Sequence, residues 1–222
     1  MKAQYVFENM RFERGQDPKS SMGIGKRALI KKWFDDLNVS PNKYTIDDKL
    51  NIFFKGSLYL EHSRITSLPD NLSVKGSLYL GDTPITSLPN NLSVGGLLNL
   101  SGTQITSLPD NLLVKGSLSL RNTLITFLPD NLSVGGDLDL SNTPITSLPD
   151  NLKVIGHLDL ANTQIISLPD NLSVGRSLNL RNTPITFLPD NLSVGRSLNL
   201  RNSKIVSLPD NLKIGGEILK DF

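Results

Sequence analysis

Asp137, Asp139, His157 and Asp159 come closest, among the residues of this 222-residue chain, to a constellation that could do chemistry. Asp137 and Asp139 lie two apart, and His157 and Asp159 repeat that spacing twenty residues later. In extended chain, residues two apart share a face, so two neighbouring strands would gather all four into a patch under about 8 Å across. Three carboxylates and an imidazole are ligands for a divalent cation such as Ca2+, Mn2+ or Zn2+. They are also an acid and a base for proton transfer. The plainer reading is a solvated polar surface that selects a basic partner. Catalysis ranks below both, because a flat sheet supplies neither pocket walls nor positioned supporting groups. Arg176, Arg181, Arg196 and Arg201 form a second constellation, in two nearly identical stretches reading GRSLNLRNTPI and GRSLNLRNSKI. Arginines so placed suit phosphate or an acidic protein surface; duplication of a hydrated stretch is the competing account.

These residues are held by a repeat. The unit V-x-G-x-L-x-L-x-x-T-x-I-T-x-L-P-D-N-L-x recurs every twenty residues without insertion. Val74 to Val194, Leu60 to Leu200 and Pro69 to Pro209 keep that interval throughout, with Phe54 before the valines and Ile214 after them. Strict self-similarity at such a period is the signature of a solenoid. Within one unit, Val74, Gly76, Leu78 and Leu80 alternate with polar residues, which predicts a strand with one buried face. Gly76 is read as a point where adjacent backbone passes close by. Ile85 and Leu88 then follow a bend, and Leu88-Pro89-Asn90-Asn91 fits a turn that directs Leu92 back inward. One coil buries too few side chains to offset its own ordering, so only stacking makes the unit stable. Thr83, Thr103, Thr123, Thr143, Thr163 and Thr183, with Ser63 and Ser203 in the outer coils, are expected to satisfy backbone groups left open at each bend.

In a stack, the positions that vary are free for function. The outward strand residues Tyr59, Tyr79, Asn99, Ser119, Asp139, Asp159, Asn179 and Asn199 should form one stripe, with an aromatic end, an acidic middle and an amide end. Ser57, Ser77, Leu97, Ser117, Asp137, His157, Ser177 and Ser197 run beside it. Arg121, Arg181 and Arg201 flank the stripe on one side and Arg176 and Arg196 on the other. Phe127 and Phe187 replace a recurring serine and are expected to fill thin places in the core.

Residues 26–38, KRALIKKWFDDLN, read as a helix with Ala28, Leu29, Trp33, Phe34 and Leu37 near one face. Ser20, Ser21 or Gly23 would begin it, and Asn38 and Pro41 end it. The apolar face would cover the open end of the first coil. Gly23-Ile24-Gly25-Lys26 lacks the spacing and preceding strand of a phosphate loop. Residues 1–51 are therefore a cap segment, and residues 52–222 a solenoid of eight coils plus a truncated ninth. The stretch Gly215-Gly216-Glu217-Ile218-Leu219-Lys220-Asp221-Phe222 shows no comparable cap. Its charged residues oppose edge pairing, so a monomer is favoured, with pairing through that edge as the alternative.

Composition excludes several classes. Lys+Arg is 23 against Asp+Glu 21, so bulk attraction to nucleic acid or an anionic membrane is not expected. The charge runs from acidic to basic, with six basic and ten acidic residues over 55–174 and seven against four over 175–222. Absence of cysteine removes disulfides, thiolate metal sites and a cysteine nucleophile. No secretory signal is visible at the start, and no apolar run approaches a membrane span. Glycosylation sequons at Asn71, Asn91, Asn131, Asn171 and Asn191 would crowd neighbouring coils if used, which disfavours a eukaryotic secretory origin.

The pattern L-x-L-x-x-T-x-I-x-x-L-P resembles the leucine-rich repeat, L-x-L-x-x-N-x-L-x-x-L-P, from about residue 52 onward. The period of 20 is similar to the short bacterial class found in secreted effectors of pathogens. FERGQDPKSSMGIGKR resembles an N-terminal segment of phage-encoded and gut-bacterial repeat proteins. Thr or Ser stands where the family has Asn, and V-x-G lengthens the strand, so a parallel β-helix is the alternative fold. The resemblance implies a right-handed solenoid of parallel strands with a small α-helical cap. It carries no ligase activity, since no catalytic domain follows the repeats and cysteine is absent. The expected function is a non-catalytic scaffold binding another protein through its variable strand face, in the cytoplasm of a bacterium or phage-infected cell, without a cofactor. A self-assembling structural component, or a metal protein centred on Asp137, Asp139, His157 and Asp159, are the alternatives.

Overall fold

A computed structural model describes residues 21–221 of the chain. Residues 1–20 and Phe222 lie outside the described residues, and with them most of the phage-like N-terminal segment and Ser20. The helix α1 spans Ser21–Asp36, beginning at one of the expected starts and taking in Gly25 and Lys26, which therefore belong to a helix and not to a phosphate loop. A 3-10 turn at Pro41–Lys43 leads into β1 (Tyr44–Ile46), which pairs antiparallel with β2 (Ile52–Phe54). From β2 onward the chain winds as a parallel solenoid. Among the described residues it forms a ten-stranded and a nine-stranded sheet, parallel throughout except at β1.

Each coil contributes one short strand to each sheet. The coil containing Val74 does so with Leu72–Val74 and Leu78–Tyr79. The single strand expected through Val74, Gly76, Leu78 and Leu80 is thus two strands, with a bend at Lys75 and Gly76. Ladder bonding continues across the bend, since Lys75 donates to the Phe54 carbonyl at 2.9 Å and Gly76 to that of Gly56 at 3.0 Å. A Cβ on Gly76 would lie 2.8 Å from the Gly56 carbonyl carbon and the Ser57 nitrogen. Glycine at this corner lets it pack closely against the preceding coil without displacing it. Turning that corner brings Val74 and Leu78 into one core from two walls, which a straight strand could not do. The recurring Val, Leu, Leu, Ile, Leu and Leu of the inner coils are all buried, in one continuous cluster.

The bend after the second strand is closed by the buried threonines. Each donates its hydroxyl to the carbonyl three residues back, as Thr83 to Leu80 at 2.7 Å and Thr143 to Leu140 at 2.6 Å. Ser63 and Ser203 depart from the expectation, because their hydroxyls are buried with no partner among the described residues. Serine lacks the γ-methyl that helps orient the threonine hydroxyl, and both serines stand in outer coils. The residue before each threonine adopts a left-handed backbone. His62, Asp82, Gly102, Asn122, Asn142, Asn162, Asn182 and Asn202 all have φ between 54° and 72°. Asparagine, aspartate, histidine and glycine are the residues that enter this region at least cost. Stacked amides then form a ladder along the coils, with Asn162 donating to Asn142 at 2.8 Å, Asn182 to Asn162 at 2.6 Å and Asn202 to Asn182 at 2.9 Å.

At the N-terminal end, α1 covers the first coil with Ile30, Trp33 and Phe34, and partly with Leu37. These fall at i, i+3, i+4 and i+7, one face of a helix. Ala28 and Leu29, expected on that face, lie off it and are exposed, Leu29 to 39%. Phe34 stacks on Tyr44 at 4.0 Å between ring centroids and meets Trp33 edge-on at 4.9 Å. Burial, with the charge of Asp35 nearby, pushes the Tyr44 phenol above its ordinary value. Arg27 ties the helix to the following turn by donating to the carbonyls of Ile46 at 2.9 Å and Asp47 at 2.7 Å. The Asp47 carboxylate in turn accepts from the amides of Lys49 and Asn51 and from Asn51 Nδ2, each within 3.0 Å.

At the other end, Asp221 folds back over coil eight. In earlier coils the amide of the left-handed residue donates to a carbonyl of the next coil, as Asn182 does to Arg201 at 3.0 Å. For Asn202 that acceptor is the Asp221 carboxylate, also at 3.0 Å. A side-chain carboxylate thus takes the place of a backbone carbonyl as acceptor.

Candidate functional site

The nine-stranded sheet presents the variable stripe on its outer face. Pairing is in register from Tyr59 to Tyr79, Asn99, Ser119, Asp139, Asp159, Asn179 and Asn199, so these eight residues form one row. The alternation that buries Leu58, Leu78 and their equivalents turns the row outward. Tyr59 and Tyr79 stack at 4.8 Å with ring planes 7° apart, and Tyr59 is 68% exposed. Glu61 borders this aromatic end and accepts from Asn99 Nδ2 at 3.2 Å, while His62 lies 3.6 Å from Asp82.

Much of the polar chemistry of the row is turned toward the chain's own backbone. Asp139 Oδ1 accepts from the Ser141 amide at 2.9 Å and its hydroxyl at 2.6 Å. Asp159 Oδ1 accepts from the Ala161 amide at 2.9 Å and from Asn179 Nδ2 at 3.0 Å. Asn99, Asn179 and Asn199 close the same two-residue turn with their side-chain oxygens. An Asx residue here is therefore a turn former as well as a surface group. The neighbouring row behaves alike from one coil to the next. Ser57, Ser77 and Ser117 hydroxyls, the Asp137 carboxylate and His157 Nδ1 each accept the amide of the residue twenty positions on, at 2.8 to 3.2 Å.

Asp137, Asp139, His157 and Asp159 do share two adjacent coils, with Asp139 paired directly to Asp159. Each has an atom engaged as described, so the four do not turn inward upon a common point. Among the described residues no group of three or more His, Asp or Glu side chains is arranged to hold a metal ion. Asp139 and Asp159 each bond an amide two residues on in their own coil, whereas Asp137 and His157 each bond an amide of the next coil, so the four belong to two separate rows.

Arg121, Arg181 and Arg201 lie exposed in the turn after the strand, and Arg176 and Arg196 exposed before it. Arg201 approaches Asp221 at 4.0 Å. Phe127 and Phe187 do not fill the core; they are 56% and 57% exposed, because the position they share with serine faces solvent in the extended segment behind the sheet. The pattern also missed Ile166 and Val206, likewise exposed there. Their signal was an apolar residue where the repeat carries threonine.

Neither a family model nor a curated protein matches this chain. Solved structures do. The leucine-rich-repeat domain of a Shigella effector is 18% identical and superposes with a TM-score of 0.50 over 95% of this chain and 92% of that one. A leucine-rich-repeat protein of Leptospira interrogans is 20% identical over 72% of both chains, with a TM-score of 0.24. The likeness to the effector domain identifies the fold as that of the leucine-rich repeat.

Proposed function

We propose that this leucine-rich-repeat solenoid is a non-catalytic scaffold that binds another protein through the row from Tyr59 to Asn199 and its flanking arginines. The observation that carries this reading is the division of labour within each coil. Core positions recur, while the outward row from Tyr59 to Asn199 changes chemically from coil to coil in register. An exposed stacked tyrosine pair offers a rigid contact surface at low entropic cost. The carboxylates, engaged with backbone amides, serve recognition better than proton transfer. The cytoplasm of a bacterium or of a phage-infected cell is the proposed setting, and no helix among the described residues is long and apolar enough to cross a membrane. We take residues 1–51 as the cap unit of this scaffold. Assembly through the outer strands Lys213–Ile214 and Ile218–Leu219 is the second reading, and the exposure of Ile218 favours it.

The test exchanges face residues only for those the repeat itself carries. Tyr59→Ser and Tyr79→Ser copy Ser119, while Asp139→Asn and Asp159→Asn copy Asn179 and keep the turn bond. Affinity capture from bacterial lysate should retain a specific partner with the wild type and lose it with this variant. Equal retention by both would move the site elsewhere. Dimers that dissociate on dilution in light scattering would favour the second reading.

A further inference from the structure

Arg176 and Arg196 occupy a position held by glycine at Gly76, Gly96, Gly116, Gly136, Gly156 and Gly216. The position is crowded. A Cβ at Gly116 would come 2.6 Å from the Gly96 carbonyl carbon, and one at Gly216 comes 3.0 Å from that of Arg196. Placing a side chain here requires the preceding coil to give way by some tenths of an ångström. Solubility alone does not call for that, since other exposed positions carry charge without it. The two arginines stand on adjacent coils, about 4.8 Å apart at the backbone, and Arg181 and Arg201 repeat the arrangement beyond the strand. Like charges side by side are unfavourable without a counter-charge. Among the described residues Arg176, Arg181 and Arg196 have no carboxylate partner, whereas Arg201 has the distant Asp221. Between the arginine pairs the row's acceptors are already used, by the Arg181 and Arg201 amides on Asn179 and Asn199 at 3.2 Å. The outward groups left there are the Ser177 and Ser197 hydroxyls and the Asn199 amide NH2, all able to donate.

We infer that these two coils are an anion platform that docks a short acidic segment of the partner protein. The inference rests on the strand-face reading above and specifies the partner's chemistry at its basic end. Extent decides between classes of anion. The platform spans only the coils of Asn179 and Asn199, and Asp159 pairs directly with Asn179. Asp139 follows one coil further. A polyanion continuing along the stack, as nucleic acid would, runs into these carboxylates. The stacked tyrosines that could receive a base lie at the far end. A run of a few Glu or Asp residues, lying along the strands from one arginine pair to the other, meets donors throughout and avoids the acidic middle.

Each half of the platform can be returned to the repeat's own residues without disturbing the coil. Arg176→Gly and Arg196→Gly restore the recurring glycine, and Arg181→Ser and Arg201→Ser copy Ser101 and Ser141. Labelled hexaglutamate, followed by fluorescence polarisation, should bind the wild type and weaken as salt rises. Four surface charge contacts of modest strength predict that the fourfold variant binds it about thirtyfold more weakly. Either arginine pair alone should account for part of that loss. The tyrosine and aspartate variant above should bind hexaglutamate at least as well as the wild type. Undetectable binding by the wild type, or unchanged binding by the fourfold variant, overturns the inference. So does tighter binding of inorganic triphosphate or hexathymidylate. If partner capture survives the fourfold variant while hexaglutamate binding is lost, the strand face stands and the acidic partner does not.

Discussion

At the scale of single residues, the repeat spends most of its polar side chains on its own backbone. Asn162 shows how much one position carries. It holds φ at 57°, donates to Asn142 at 2.8 Å and accepts from Asn182 at 2.6 Å. Asn162→Ala should destabilise the fold by about 1–2 kcal/mol through the left-handed backbone alone. Asn162→Gly keeps that conformation accessible and should cost clearly less. Urea midpoints of the two variants check the order; equal losses would mean that the amide ladder, not the backbone, dominates. The asparagine spacing was legible in the sequence, with Gly102 and Asp82 as the telling substitutes. Its meaning was not, because the same Asn-rich columns fit turns of several kinds.

At the scale of elements, the cap joins helix to solenoid through Arg27, Asp47 and an aromatic cluster. Burial tends to raise the Asp47 carboxyl, but hydrogen bonds from Asn51 and Lys49 and the Lys49 charge outweigh it and hold the group below the ordinary carboxylate range. A depressed carboxyl contributes stability above its unfolded value and loses it as the pH falls through the folded one. The cap should therefore loosen below about pH 4, where carboxylates ordinarily titrate. Trp33, the chain's single tryptophan, reports this as a red shift in emission. Asp47→Asn should flatten that acid response relative to the wild type; superimposable curves would remove Asp47 from the account. A cap helix ahead of the first coil could be read from its apolar spacing. Trp33, Phe34 and Leu37 could be read as its inward face, but Ile30 in place of Leu29 could not, since the two are adjacent and only burial in the common core selects Ile30.

At the scale of the whole molecule, each coil touches chiefly its two neighbours, and stability is close to a sum of coils and interfaces. Deleting residues 94–113 joins Ser93 to Val114 and preserves the register. That variant should unfold cooperatively with a proportionally smaller urea m-value, because less surface is exposed on unfolding. Deleting residues 94–103 leaves half a coil and should abolish cooperative unfolding. If both deletions behaved alike, coil register would not be what holds the molecule together.

The period of twenty determined, without coordinates, that the chain is a solenoid of parallel strands and which side chains fill it. Periodicity is enough there, because an identical coil can bury its apolar residues only against copies of itself. The same reasoning named the outward row from Tyr59 to Asn199, since alternation in a strand leaves no other side for it. What those polar residues do depended on tertiary structure. Whether Asp137 faces a metal or the His157 amide is decided by a contact twenty residues away, and Phe127 is core or surface according to how the coil bends behind the sheet. Spacing places a residue on a coil; only the neighbouring coils settle what its side chain meets.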